Sequence, residues 1–363
     1  MTTRRLKLRY ILYCAISICV LKVLIQEVLK PRYAIDKCIS GEYANSFIEI
    51  VSEEKGQRHI LHCLPQSPKI KSPSLYVIRL NDTLTERFLQ IPKAKKFTEK
   101  VVILSPVRDA VGFLDQFGYL LSTISYPHNL ISVHFGEDGS TDDTVFVAKR
   151  VCDRLINEFG FRKCTIYTLK IKGNKTTRKS RHDAKHQLSR RSHMGKARNL
   201  LSKYGLEEED WVLWIDSDVI SFRPDIIQQF LYSDKDVMAA SCLFERKLFL
   251  SRFIDVRNYD LNTFRETIVG DTQYRIWLKD LKSEGREARI DYVGACALMV
   301  RADAVRKGLK FTEGPYHPQY LKSGNPEAKI EVQLNIETEG LAKMAREMDL
   351  DVFGLPFLEV YHV

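Results

Sequence analysis

With 44% apolar and 28% charged residues over 363 positions, the chain has the composition of a protein that buries a core. That excludes a disordered or fibrous chain and allows one large or two medium domains. A formal charge of +10 and a pI near 9.1 suit acidic ligands, anionic membrane surfaces or nucleic acid without choosing among them.

The first nine residues carry Arg4, Arg5, Lys7 and Arg9 and no acid. Tyr10 to Leu21 is uncharged and almost wholly apolar, and Val23-Leu24-Ile25 extends the run past Lys22, which would snorkel. This pattern predicts a cytosolic tail over 1–9 and an uncleaved signal anchor over 10–29, with a lumenal remainder. Two acceptor sequons, Asn81-Asp82-Thr83 and Asn174-Lys175-Thr176, are compatible with a lumen. So is the even set Cys38, Cys63, Cys152, Cys164, Cys242 and Cys296. No cysteine pair has zinc-finger spacing. Cys152 and Cys164 flank a short segment, and both a disulfide between them and two buried thiols stay open. Residues 30–99 read as a stem, broken by Pro65, Pro68, Pro73 and Pro92, with one strand near Leu75 to Leu80.

A globular domain is predicted over 100–363. Val101 to Leu104 is a continuous aliphatic run, as in a parallel strand buried on both faces, and Ser105 to Asp109 reads as a loop. A helix from Phe113 to Ser122, a strand Ile131 to Phe135, a helix Val145 to Glu158 capped by Thr141 or Asp142, and a strand Thr165 to Leu169 complete a β-α-β-α-β pattern. This is the pattern of a doubly wound, Rossmann-like α/β domain with a mostly parallel sheet. Ligands of such sheets bind at the carboxyl ends of the strands. Lys170 to Arg198 holds eleven Lys and Arg against one acid, and reads as a solvated loop up to a helix beginning at Gly195. It has almost no aromatic residues to stack bases, so nucleic acid is not an expected partner.

The next run, Trp211 to Ile215, is a short buried strand ending in Asp216-Ser217-Asp218. Two carboxylates at i and i+2 beyond a strand aim to one side and suit a hard divalent cation. Further elements are a helix opened by Phe222 to Asp225 and ending at Leu231, a strand Val237 to Ser241, and loop or short-helix context for Tyr259 to Asn262 and Asp271. A strand Asp291 to Val300 follows, whose Gly294 permits close backbone approach. Then come a helix Arg301 to Gly308, a helix Leu341 to Met348 preceded by Glu337 to Gly340, and two strand-like pieces ending at His362. His362 is either a bland terminal histidine or a third ligand, since Asp/Asp/His is a reasonable set for Mn²⁺.

Taken together, Ser125 to Ile131, Ala197-Arg198-Asn199, Trp211 to Ile220, Asp234 to Val237, Tyr259 to Asn262, Glu337 to Ala345 and Gly354 through His362 resemble the fungal α-mannosyltransferases of the mannan-polymerase complex, glycosyltransferase family 62. The resemblance runs from Val101 to the end. It implies a GT-A type nucleotide-sugar transferase domain on a single-pass type II Golgi membrane protein. It also implies GDP-mannose as donor, Mn²⁺ (or Mg²⁺) as cofactor, a mannose-containing glycan as acceptor, retention of configuration, and other glycosyltransferase subunits as partners. Residue by residue, it implies Asp216, Asp218 and His362 at the metal, with Asp216 bound directly or through the ribose. It implies Pro106, Arg108, Asp138 and Arg198 at the donor nucleotide, and Glu337 and Glu339 at the sugar and acceptor. Gly136 to Ser140 instead looks like the generic inverting-transferase signature, and Asn262 to Asp291 is shorter than in the family. Two other readings therefore stand beside it: an inverting transferase using another nucleotide sugar, and a non-catalytic scaffold subunit.

Overall fold

The computed structural model describes residues 50–54, 57–62, 76–80, 87–92, 95–171, 184–247, 254–269, 272–316 and 335–363. The expected anchor, both sequons, Cys38, Cys63, Asp271 and residues 172–183 of the basic segment lie outside them. Among the described residues no helix is long and apolar enough to cross a membrane. The chain divides into two compact units, Met1–Leu80 and Asn81–Val363. In the first, β1 (Ile50–Glu54), β2 (Gln57–His62) and β3 (Tyr76–Leu80) form an antiparallel three-stranded sheet. β3 is apolar at four of its five positions and so legible as a strand, whereas β1 and β2 are diluted with Glu, Gln, Arg and His.

The second unit is built on β4 (Val101–Val107), β5 (Ile131–Glu137), β6 (Lys163–Thr168) and β7 (Trp211–Ile215). They are joined by α1 (Val111–Ser122), α2 (Thr144–Asn157) and α3 (Ala184–Gly205). The order β6-β5-β4-β7 is parallel throughout. The chain winds outward from β4 to β6 and then returns to the other side of β4, so the topological switch lies between β4 and β7. Side chains alternate between two cores. Val101, Ile103, Leu213 and Ile215 join Phe117 of α1, Val151 of α2 and Phe230 on one face. Val102, Leu104, Val212 and Trp214 join Ala197 and Leu201 of α3 and Leu341 and Ala345 on the other.

Beyond β7 come β8 (Val219–Phe222), α4 (Ile226–Ser233), β9 (Val237–Lys247), β10 (Ile254–Asn258), the hairpin β11 (Phe264–Val269) and β12 (Thr272–Trp277), and β13 (Ala288–Arg289). β14 (Ala297–Arg301), α5 (Ala302–Arg306), α6 (Thr338–Glu347) and β15 (Val352–His362) complete the unit. The sheet has ten strands, and its second half corrects the expectation of a mostly parallel one. β14 runs antiparallel to both β7 and β9, and β8, β10 and β13 also pair antiparallel. α1, α2 and α3 supply the helical crossovers that the parallel neighbours β4, β5, β6 and β7 need. Because β9 and β15 are parallel to each other and each lies two antiparallel steps or fewer from β7, β15 ends at the same sheet edge as β7.

Several boundaries also differ. β4 continues through Pro106 to Val107, paired with Gly136 and Glu137, where a loop was expected. Its proline is tolerated because the donor it lacks costs a single ladder bond at the strand end. α3 begins by Ala184, eleven residues before Gly195. Its many cations hid the helix, because they leave little apolar stripe. Gly195 sits mid-helix because Thr312 passes there, and a Cβ would lie 2.7 Å from the Thr312 carbonyl oxygen. The cap position of α2 is Asp143, without a side-chain bond, while Asp142 one residue earlier accepts from the first helical amide, that of Thr144, at 3.0 Å. Asp291 to Cys296 is irregular, and the strand begins only at Ala297. α6 starts at Thr338, so Glu339 and Gly340 lie inside it. At the front of the unit, buried Leu89 and Phe88, stacked on Phe357 at 4.6 Å, are held through their carbonyls by Gln229 and Arg286.

Candidate active site

The carboxyl ends of β4, β5 and β7 place Arg108-Asp109, Asp138 and Asp216-Ser217-Asp218 along one edge, beside the switch point. The Asp216 amide donates to the Cys296 carbonyl and the Val219 amide to the Asp216 carbonyl, which fixes the turn between β7 and β8. β15 brings His362 to the same edge, and its Nε2 lies 2.8 Å from Asp218 Oδ1. The ligand atoms of Asp216, Asp218 and His362 all lie within 4.8 Å of one another. Two hard carboxylate oxygens and an imidazole nitrogen at that spacing fit a divalent cation such as Mn²⁺ or Mg²⁺. Tyr259 stacks on the His362 ring with centroids 3.5 Å apart, and Phe244 meets Tyr259 edge-on. Burial works to lower the His362 pKa, but the hydrogen bond and charge of Asp218 outweigh it and raise it.

From α3, Arg198 reaches across to this turn. Its Nη2 donates to Asp216 Oδ1 at 2.9 Å and its Nε to Glu337 Oε1 at 3.3 Å. The guanidinium lies 5.3 and 5.4 Å from the ring centroids of Trp214 and Phe311, which meet each other edge-to-face at 5.1 Å. This aromatic pair and carboxylates at two edges hold Arg198 in one orientation. Its third nitrogen, Nη1, is buried without a hydrogen-bond partner among the described residues, a costly arrangement that an anion bound there would relieve.

Glu337 and Glu339 are both buried at the start of α6. Glu337 has φ 61°, ψ −114°, a strained backbone conformation for a side chain of this kind. Arg191 of α3 stands 3.1 Å from Glu339 Oε2 and donates to the Ile336 carbonyl, so the same helix carries the cations that hold both acids. Burial raises the pKa of Glu337, Glu339 and Asp216, opposed in each by the neighbouring arginine.

Asp138 is buried, with Oδ2 bonded to His193 Nε2 of α3 and Oδ1 without a partner among the described residues. Pro106 sits in the β4–β5 ladder at the base of this edge. Arg108 is half-buried and lies 3.9 Å from Asp109, whose carboxylate accepts from the Thr141 amide and hydroxyl. All nine residues expected at the site thus lie on or beside one sheet edge. Glu337, Arg198, Asp216, Asp218 and His362 form one linked chain of contacts, whereas Asp138 meets it only through α3.

Four participants were not assigned a role from the sequence: Arg191, His193, Tyr259 and Asp260. Asp260 accepts from the Asn262 amide, and burial raises its pKa to about 6, with the Asp216 and Glu337 charges adding to the rise. Its carboxylate fills the space beside Gly294, where a Cβ would lie 1.2 Å from Oδ2. The signal for Asp260 was present in that glycine, which marked a close approach without saying of what.

The Anp1 family profile matches residues 83–281. The mannan polymerase complex subunit MNN9 of Candida albicans is 28% identical over 299 residues, covering 73% of this chain and 74% of that protein. The mannan polymerase II complex anp1 subunit of Schizosaccharomyces pombe is 26% identical over 296 residues, covering 73% of this chain and 64% of that relative. Among solved structures, the mannosyltransferase PcManGT from Pyrobaculum calidifontis, in complex with GDP-Man and Mn²⁺, aligns with TM-score 0.45 at 10% identity. That alignment covers 77% of this chain and 62% of that one.

Proposed function

The chain belongs to the Anp1 family, and from that premise we propose that it is a metal-dependent retaining glycosyltransferase of GT-A type that moves mannose from GDP-mannose to a mannose-containing glycan. The observation that carries the reading is the meeting of Asp216, Asp218 and His362 with the fixed cation of Arg198 at the switch-point edge of the sheet. The names of the two relatives support mannan as the acceptor class and other subunits of a polymerase complex as partners. The basic tail and apolar run at the N-terminus support a Golgi type II membrane protein with this unit in the lumen.

Asp216, Asp218 and His362 would hold the divalent ion. Bound there, it supplies Lewis-acid stabilisation of the diphosphate as the bond to the sugar breaks. Arg198 offers Nη1 to a phosphate oxygen while its other nitrogens stay on Asp216 and Glu337, so its charge is in place before the reaction begins. Asp138, held through Oδ2 by His193, presents Oδ1 as an acceptor to the nucleoside. Pro106 and Arg108 line the same strand ends. Glu337, Glu339 and Asp260 put three carboxylates around the sugar side, suited to orienting an acceptor hydroxyl and to supporting positive charge at the anomeric carbon. Arg191 stands 3.9 Å from Glu337 Oε2 and 3.1 Å from Glu339 Oε2, and its charge opposes the rise in pKa that burial imposes on both.

Asp216→Ala and Asp218→Ala are each expected to lower transfer from GDP-mannose by at least about a thousandfold with the thermal transition retained. Wild-type turnover in either variant overturns the assignment.

A further inference from the structure

Two disulfides are described in the second unit, Cys152–Cys164 and Cys242–Cys296. The first ties α2 to β6, far from the strand ends that carry the site. The second is buried, and both of its cysteines make backbone contacts that lead to the site. The Cys296 carbonyl accepts from the amide of Asp216 at 3.1 Å. The Cys242 carbonyl accepts from the amide of Tyr259 at 3.0 Å and faces that of Asp260 at 3.5 Å. Cys242 is also paired with Val360 across the parallel β9–β15 ladder, two positions before His362 meets Phe244. One covalent bridge therefore stands behind the turn carrying Asp216, the strand carrying His362, and the loop whose Tyr259 lies flat on the His362 ring.

We propose that the Cys242–Cys296 disulfide is a positioning element of the metal site: it fixes the distance between the Asp216 turn and the His362–Tyr259 stack, and sets the affinity of the site for a divalent cation. The inference rests on the metal reading above. Its physical basis is that the two ends of the metal turn are held differently. The Asp218 end is tied to β15 directly, since Val219 pairs with His362 and the Val363 amide donates to the Asp218 carbonyl at 3.3 Å. The Asp216 end is held by the Cys296 carbonyl just before β14, and β14 and β9 stand between β7 and β15 in the sheet. The bridge joins Cys296 to β9 at the edge where the ligands project. Outer groups that orient metal ligands commonly govern affinity by ten- to a hundredfold.

The test is a Mn²⁺ titration of the full-length chain, read by the loss of the free-ion electron paramagnetic resonance signal. It compares wild type, Cys242→Ala/Cys296→Ala and Cys152→Ala/Cys164→Ala. Both double variants are expected to unfold at lower temperature. Only the Cys242/Cys296 pair is expected to weaken Mn²⁺, by roughly ten- to a hundredfold, with the Mn²⁺ concentration for half-maximal turnover rising by the same factor. The distal pair should bind Mn²⁺ within about twofold of wild type, which separates positioning from a general loss of stability. Equal weakening in both variants, or none in the Cys242/Cys296 variant, overturns the inference. If that variant does not fold, wild type treated with a phosphine under native conditions replaces it, with alkylation of Cys242 and Cys296 confirming reduction. Unchanged Mn²⁺ affinity after their alkylation then overturns it, as does finding both thiols free in untreated protein. Failure of untreated wild type to bind Mn²⁺ overturns the metal reading itself, a result distinct from all of these.

Discussion

Gly294 has no side chain because the Asp260 carboxylate occupies that space, at 1.2 Å from where a Cβ would stand. Thr263 serves both residues, since its hydroxyl oxygen accepts from the Gly294 amide at 2.9 Å and the same side chain bonds Asp260. Gly294→Ala therefore moves Asp260 rather than the glycine, whose backbone is held. A displacement of about 1 Å at a reacting centre costs on the order of a hundredfold, so kcat/KM for transfer is expected to fall by that factor while the fold persists. Steady-state kinetics and a thermal transition check this; a wild-type kcat/KM contradicts it. At this scale the sequence displayed the acids and cations but not their partners. Asp216 and Asp218 announced themselves by ending an apolar strand. Arg191 and His193 were indistinguishable from their basic neighbours, because what selects them is the helical phase of α3 against Glu339 and Asp138.

β5 is buried along its whole length, and it carries His134 into the interior with neither ring nitrogen meeting a partner among the described residues. Burial depresses its pKa from 6.5 to about 4, with the Glu209 charge opposing the shift. The folded state thus keeps His134 neutral where the unfolded chain takes up a proton. The fold is at full strength above pH 6.5 in this respect and loses stability as pH falls toward 4. His134→Leu removes the dependence. Between about pH 7.5 and about pH 5, wild type is expected to lose roughly 2 kcal/mol more stability than the variant, measured by chemical denaturation at both pH values. Equal losses contradict the buried neutral assignment. Elements were legible where periodicity is clean: β4, β5 and β7 read as apolar runs, and α1 as a helical stripe. α3 was hidden because its outer faces are basic and its buried face is narrow, Ala197 and Leu201 among polar residues. The irregular stretch from Asp291 to Cys296 read as strand because its residues are apolar. Val293 and Ala295 are apolar because they pack in the core with Ala197 and Leu201, and the pairing in the stretch is an isolated bridge of Tyr292 with Phe264.

The second unit is a two-faced sheet whose parallel half makes a switch point and whose antiparallel half delivers His362 to it. That division explains how much of the whole was legible. The β-α-β rhythm from Val101 to Ile215 carries its own topology, since helical crossovers force parallel neighbours. Nothing local in β8 to β15 fixes pairing between strands a hundred residues apart, such as β9 with β15. The joining of His362 to the Asp pair came from resemblance, and the sheet supplies its physical reason. The net charge of +10 is compatible with the diphosphate-bearing donor proposed above. The measurement that tests the central claim is nucleoside diphosphate release by the full-length chain with Mn²⁺, screened across GDP-mannose, other GDP-sugars and UDP-sugars, with and without EDTA. The account predicts slow release of GDP from GDP-mannose alone, abolished by EDTA. Release from a different donor contradicts the mannose assignment, and no release together with no Mn²⁺-dependent thermal shift under any nucleotide contradicts the transferase itself.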